Sequence, residues 1–266
     1  MDLTHGSLFS GIGGFDLGFE RAGFKTIWQV EIDPYCQAIL AKHFPQAQRF
    51  RNIKRFRSCK TLTPVDVITG GFPCQPFSVA GKRCGTADDR YLWPEMRRVI
   101  EEVRPRWVVA ENVPGLIKLA LDQVLSDLEA LGYTVGAVTI PACAVDAPHR
   151  RERLWIVGYA ESSQRGLSTQ SRTDDLESQR SGADVAHAAQ QRGQRRPMGP
   201  RQAEPQGPHE RVAGLRRWEP EPGVGRVAHG VPHRVDRLKA LGNAIVPQIA
   251  EEIGRMILAV EQESKS

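Results

Sequence analysis

SLFSGIGGFDLGF, residues 7–19, places three glycines, Gly11, Gly13 and Gly14, between a short apolar run and an amphipathic one. Glycine adopts left-handed backbone freely and lets a ligand or a second segment lie against the main chain. The spacing therefore predicts a tight turn from a first strand, Gly6–Ser10, into a helix. Ordinary tight turns use the same residues, so the meaning of the cluster depends on its surroundings.

Those surroundings repeat the pattern. Thr26–Glu31, Val65–Gly70, Trp107–Glu111, Val135–Pro141 and Leu154–Val157 read as further strands, with helical patterns at Pro34–His43, Pro94–Val103 and Leu116–Leu131. Strands alternating with helices predict an α/β fold, a doubly wound and mostly parallel sheet. Ligands of such sheets collect beyond the carboxyl ends of the strands. Glu31 closes the second strand, and a carboxylate there can accept hydrogen bonds from both ribose hydroxyls of an adenosine-containing ligand. A dinucleotide site of the G-x-G-x-x-G kind would have glycine where this chain has Asp16, and an acid beside a pyrophosphate is unfavourable. A ligand bearing an ammonium and a sulfonium tolerates the acid. This tilts the reading from NAD towards S-adenosylmethionine.

Composition sets the outer bounds. The 266 residues suffice for one sizeable α/β domain and a smaller appendage. A net charge of +5 permits a polyanionic partner. There is no apolar run of the roughly 18 residues that span a membrane, and the N-terminus lacks a signal-peptide pattern, so a soluble, cytoplasmic protein without membrane contact is expected. The five cysteines, Cys36, Cys59, Cys74, Cys84 and Cys143, form no C-x-x-C pair. Neither a disulfide framework nor a metal site is expected.

Three more segments fall at the same rim of the predicted sheet. In GGFPCQPFS, residues 70–78, Pro73 and Pro76 exclude helix interior and central strand, leaving a stiff loop around Cys74. A thiol there is either a nucleophile with a lowered pKa or a structural cysteine. WVVAENV ends a strand in Glu111, with Asn112 able to anchor loop backbone. In APHRRERLWIVG, Arg151 and Arg153 alternate and share a face if the segment is extended. Each has an ordinary structural reading alone; their convergence argues for a site.

Between Glu161 and Arg217 there is no Phe, Tyr or Trp, and every Lys/Arg position is Arg. The stretch reads either as a disordered linker or as a segment that orders on a polyanion. Order is expected to resume near Trp218. In RLKALGNAIVPQIAEEIGRMILAV, residues 237–260, Ile245, Ile249, Ile253 and Ile257 recur at i+4. A helix beyond Pro247 with one face on the core is predicted.

Taken in order, LFSGIGGFDLGF (8–19), Glu31, GGFPCQPFS (70–78), ENV (111–113), the R-x-R of HRRERLWIVG (149–158) and LGNAIVP (241–247) resemble the cytosine-C5 DNA methyltransferase family of bacteria and phages. The resemblance covers most of the chain outside about 160–222. It implies a Rossmann-like, S-adenosylmethionine-dependent methyltransferase fold in three parts. These are a catalytic and cofactor-binding domain (1–160), a small, poorly structured target-recognition insertion (161–222), and a C-terminal segment (223–266) that returns to the first.

It further implies methyl transfer to C5 of a cytosine flipped out of double-stranded DNA, through a covalent bond from Cys74 to C6. Glu111 would serve N3, Arg153 and Arg151 would hold O2, and Asn112 completes the catalytic group. Phe9, Ser10, Gly11, Ile12 and Gly13 would meet the cofactor, with Glu31 and Ile32 at the ribose and Asn52 and Ile53 at the adenine. Pro73, Leu92, Asn243 and Ala244 would close that pocket. Gln75, Ser78, Lys82, Arg83 and Arg90 would face DNA. The expected setting is restriction-modification or protection of phage or host DNA, by a monomer whose cognate restriction endonuclease is not physically required.

Two positions depart from the family pattern: His149 stands where it usually has Gln, and Asn52 where it often has Asp. Neither touches the nucleophile. A transfer-RNA cytosine-C5 methyltransferase is the nearest alternative. The C-F-T tripeptide of that branch is absent, and WEPEPGVGRVAHGVPHR (218–234) resembles bacterial and phage DNA enzymes. A non-catalytic DNA-binding relic is disfavoured by the presence of Cys74, Glu111 and the glycine turn together. A nicotinamide oxidoreductase is a distant third.

Overall fold

The structure, a computed structural model, describes residues 3–58, 62–73, 91–160 and 234–264. The insertion expected at 161–222 and the resumption of order near Trp218 lie outside the described residues. So does the loop of residues 74–90.

Strand β1 (Thr4–Leu8) leads into helix α1 (Gly14–Ala22), and β2 (Lys25–Val30) into α2 (Pro34–His43) and β3 (Gln48–Phe50). Then come β4 (Val67–Gly70), α3 (Trp93–Val103), β5 (Trp107–Asn112), α4 (Leu121–Ala130), β6 (Thr134–Ile140) and β7 (Arg153–Tyr159). Helices α5 (Arg234–Asn243) and α6 (Pro247–Glu263) follow. They belong to the same compact unit as the sheet. The strands form one sheet in the order β3-β2-β1-β4-β5-β7-β6. Pairs from β3 through β5 are parallel, whereas β7 runs antiparallel to both β5 and β6. The expected mostly parallel α/β sheet is what the chain forms.

Alternation along the strands sends neighbouring side chains to opposite faces. On one face Leu8, Trp28, Ile68, Val108 and Ile156 meet Trp93, Met96 and Ile100 of α3 and Val124 and Leu128 of α4. On the other, Val67, Val109 and Trp155 meet Phe15 and Phe19 of α1 and Ile249, Ile253 and Ile257 of α6. The helix predicted beyond Pro247 is therefore present, with its isoleucine face on the core.

Local residues set the helix ends. Asp33 caps α2 by accepting the Tyr35 amide at 2.9 Å, with Pro34 in the first turn. The single helix expected over Leu116–Leu131 is instead a 3-10 turn (Pro114–Lys118) followed by α4, broken by a non-helical turn residue at Ala120 (φ −155°, ψ 5°). Apolar spacing did not report the break, because Leu116, Ala120 and Val124 keep the i+4 interval across it. Strand β3 also escaped the sequence reading. Three residues are too few to show a period.

The close approach of α6 to α1 needs glycine. A methyl group at Gly18 would stand 2.5 Å from the Pro247 carbonyl oxygen and 2.6 Å from the Ala250 Cβ, and one at Gly14 would stand 2.7 Å from the Ile245 carbonyl oxygen. The late LGNAIVP segment thus lies directly on the helix that the first glycine cluster begins. Further along α6, buried Glu261 accepts the Trp107 indole N–H at 2.8 Å and Arg106 Nη1 at 2.7 Å. The helix is pinned to β5 at that end. No helix among the described residues is long and apolar enough to cross a membrane.

Candidate active site

Beyond the carboxyl end of β1 the chain takes left-handed backbone at Phe9 (φ 53°), Gly11 (φ 56°) and Gly13 (φ 88°) before α1 starts. The left-handed region is open to glycine and disfavours a residue such as phenylalanine. Ser10, buried beneath the turn, holds it: its amide donates to the Val30 carbonyl at 3.2 Å and its hydroxyl to the Ser7 carbonyl at 3.1 Å. Glu31 sits at the neighbouring end of β2. Its Oε2 accepts the Gly11 amide at 2.7 Å and its Oε1 the Asp33 amide at 2.7 Å. Each carboxylate oxygen keeps a second lone pair, so the side chain can hold the turn and still accept from a ligand. Among the described residues, and apart from its chain neighbours, nothing lies within 4 Å of where a side chain would begin at Gly11. Glu31 thus offers acceptor lone pairs beside that open position, where Ile12 is half-buried and Ile32 is 65% exposed.

Asn52 and Ile53 lie past β3. The Asn52 Oδ1 accepts the Lys54 amide at 2.9 Å, a local turn that leaves one lone pair free. The buried Ile53 gives its carbonyl to Arg98 Nη2 at 2.8 Å. Arg98 had no sequence signal, since it reads as a surface residue of α3. A second link missed by sequence is Lys239, whose Nζ lies 2.9 Å from Asp33 Oδ2 and joins α5 to the segment after Glu31. Asn243 and Ala244 lie at the α5–α6 turn.

The sequence reading sets Asp16 beside the ligand. The structure turns it the other way: it is fully buried against the sheet, accepting Ser7 Oγ at 3.1 Å and Gln29 Nε2 at 2.8 Å. Burial raises its pKa to about 6. Its charge therefore has no part in selecting the ligand.

Glu111 ends β5 on the same rim. Its Oε1 lies 2.9 Å from Arg153 Nε, the first residue of β7, and its Oε2 lies 3.3 Å from where a Gly71 Cβ would stand. Burial raises the Glu111 carboxyl from 4.5 to about 7, against the pull of Arg153 and then Arg151. A group balanced there can hold a proton near neutral pH and release it. Next to it, buried Asn112 donates from Nδ2 to the Phe72 carbonyl at 3.0 Å and accepts the Val113 amide at 2.9 Å. It anchors loop backbone, as the sequence suggested. Pro73 is the last described residue before the loop, and its carbonyl accepts the Leu92 amide at 3.5 Å where the chain resumes. Cys74, Gln75, Ser78, Lys82, Arg83 and Arg90 lie outside the described residues.

Arg151 differs from expectation. Its φ of 33° is not extended, and β7 begins only at Arg153, so the two arginines do not share a strand face. Arg151 Nη2 donates to the carbonyls of Gly242 and Ala244, both at 2.8 Å. Alternation along an extended chain could not foresee a left-handed residue just before the strand.

With this geometry in place, the chain can be set beside known proteins. The family model for the C-5 cytosine-specific DNA methylase matches residues 3–198. The chain is 40% identical over 158 residues to the type II methyltransferase M.PspPI of Psychrobacter sp. (strain TA137), covering 57% of this chain and 38% of that one. It is 37% identical over 178 residues to the type II methyltransferase M1.HphI of Haemophilus parahaemolyticus, covering 62% and 48%. It therefore spans less than half the length of these relatives. Among solved structures, one described as a DNA modification methyltransferase encoded within an E. coli prophage is 28% identical, with a TM-score of 0.52 over 63% of this chain and 49% of that one.

Proposed function

The chain belongs to the C-5 cytosine-specific DNA methylase family, and on that premise we propose that it methylates C5 of a cytosine flipped out of double-stranded DNA, with S-adenosylmethionine as donor. The observation that carries this reading is Glu111. It is a largely buried carboxyl, its side chain 13% exposed, raised to about 7, ion-paired at 2.9 Å to Arg153, at the same sheet rim as the open Gly11 turn.

Cytosine C5 is a weak nucleophile. In the proposed mechanism the Cys74 thiolate adds to C6, and the π pair of the C5–C6 double bond shifts to C4–C5, placing developing negative charge on N3. Glu111 delivers a proton to N3 as that charge develops, a role its balance near neutral pH suits. Arg153 steadies O2. S-adenosylmethionine, when bound, supplies the electrophilic methyl group that the activated C5 accepts. As C5 takes the methyl group the N3 proton returns to Glu111, and loss of the C5 proton to water then restores the C5–C6 double bond as the thiolate leaves.

Phe9, Ser10, Gly11, Ile12 and Gly13 would hold the donor, with Glu31 and Ile32 at its ribose and Asn52 and Ile53 at its adenine; Pro73, Leu92, Asn243 and Ala244 would close the pocket. A stacked duplex shields the base, so it must be extruded. Gln75, Ser78, Lys82, Arg83 and Arg90 would face the DNA during that step. We assign sequence choice to residues 161–222, and the role to restriction-modification or protection of phage or host DNA.

The test is transfer of labelled methyl groups by the wild type and by Cys74→Ser, with duplex DNA and transfer RNA as competing acceptors. Labelling of DNA cytosine by the wild type and only background labelling by the serine variant are expected. Wild-type rates from Cys74→Ser would remove the covalent step, and preference for transfer RNA would replace the acceptor.

A further inference from the structure

We propose that Arg151 is a positioning residue that ties the cofactor cleft to the acid pocket through the α5–α6 turn; the proposal rests on the methyl-transfer reading above. The left-handed backbone at Arg151 directs its guanidinium to the Gly242 and Ala244 carbonyls. Carbonyls at the end of a helix lack intrahelical partners and carry partial negative charge, so a cation satisfies them well. Gly242 and Ala244 flank Asn243.

The contact continues in both directions. Ile245, the next residue, presses its main chain on Gly14 at the start of α1, and its Cδ1 lies 3.5 Å from where a Gly71 Cβ would stand. The same position at Gly71 is 3.3 Å from Glu111 Oε2. One turn therefore lies against the glycine cluster on one side and, on the other, beside the Gly71 position that borders Glu111. Arg151 fastens that turn.

Arg151 also acts on Glu111 through space. Among the described residues, the charged groups that act on Glu111 are Arg153 from β7 and Arg151 from the segment before it. Gly71, just past the end of β4, is uncharged and stands beside its Oε2. Both arginines favour the ionised carboxylate. Burial, and then Arg153, hold the Arg151 guanidinium below its ordinary range. Removing the Arg151 charge leaves Arg153 alone to draw the proton off Glu111, so the acid holds it to higher pH.

Two variants of the full chain separate the tether from the charge. Arg151→Met loses both; Arg151→Lys keeps the charge and loses the planar fork that reaches two carbonyls. The dissociation constant for S-adenosylmethionine, the pH profile of single-turnover methyl transfer, and amide exchange across residues 241–246 would be measured. Both variants are expected to weaken cofactor binding about tenfold and to speed exchange in the turn. Only Arg151→Met should move the high-pH limb of the rate profile upward. Wild-type exchange and affinity in both variants would overturn the tether, and an unmoved limb in Arg151→Met would overturn the link to Glu111. A wild type that binds no S-adenosylmethionine would sink the methyl-transfer reading instead, and amide exchange would still judge the tether.

Discussion

Replacing Glu111 by glutamine should make the protein more stable at mildly alkaline pH while removing its acid. Burial lifts the Glu111 carboxyl from 4.5 to about 7. The folded protein therefore keeps this proton across a pH range where the unfolded chain has released it. The stabilising contribution is fully present below about 4.5 and is lost as pH rises through about 7. At about 1.4 kcal/mol per pH unit, the wild type gives up about 3 kcal/mol at this residue above neutrality. Glutamine keeps the shape of the neutral acid and has no proton to lose.

The difference between the two proteins should thus be small near pH 5 and grow to about 3 kcal/mol in favour of Glu111→Gln by about pH 8. Other buried groups titrate as well. His5 is held down to about 3 and Asp16 raised to about 6, both by burial. They act alike in both proteins and cancel in the difference. Urea unfolding followed by tryptophan fluorescence should show the midpoints separating by about 1 M at the alkaline end. Separation that is independent of pH, or a wild type that gains on the variant as pH rises, would refute the argument. It would mean that Arg153 outweighs burial and that the carboxylate is charged throughout.

Gly18→Ala should lower stability by about 1–3 kcal/mol through overpacking against Pro247 and Ala250, seen as a fall in Tm, whereas Gly136→Ala, with open space around it, should be close to neutral. Glu261→Ala leaves Arg106 and Trp107 without their buried acceptor and should destabilise by about 3 kcal/mol in urea. A loss below about 0.5 kcal/mol would show that water replaces the carboxylate. Asn112→Ala frees the Phe72 carbonyl at the base of the Cys74 loop. It should reduce single-turnover methyl transfer about tenfold with S-adenosylmethionine affinity unchanged, and equal losses in both would place Asn112 in the cofactor wall.

Most of the fold could be read from apolar periodicity. The α2 pattern at Pro34–His43 coincides with the helix observed, because a proline start and an aspartate cap are written locally. The strand direction of β7 could not be read, since alternation is the same whether a neighbour runs parallel or antiparallel. Among the site residues, Glu31, Glu111 and Arg153 stand at strand ends that the pattern located. Arg98 and Lys239 escaped, because a long charged side chain on a helix looks alike whether it meets solvent or, forty or more residues away, a carbonyl or a carboxylate.

The sequence by itself determined every strand but β3, where the glycine turn and the strand-end acids fall, and that they share one rim of a mostly parallel sheet. These follow from local backbone preference and from the period of side chains along a strand. Only the tertiary structure decided which partners those side chains take. Asp16 faces the sheet because α1 packs on it. Arg151 serves the α5–α6 turn because α6 returns across α1 from more than eighty residues further on. The Glu111 carboxyl is lifted to about 7 because burial in the folded chain outweighs the pull of Arg153 and Arg151, which reach it from β7 and the segment before it. Burial and pairing depend on segments far apart in the chain, and no local pattern carries them.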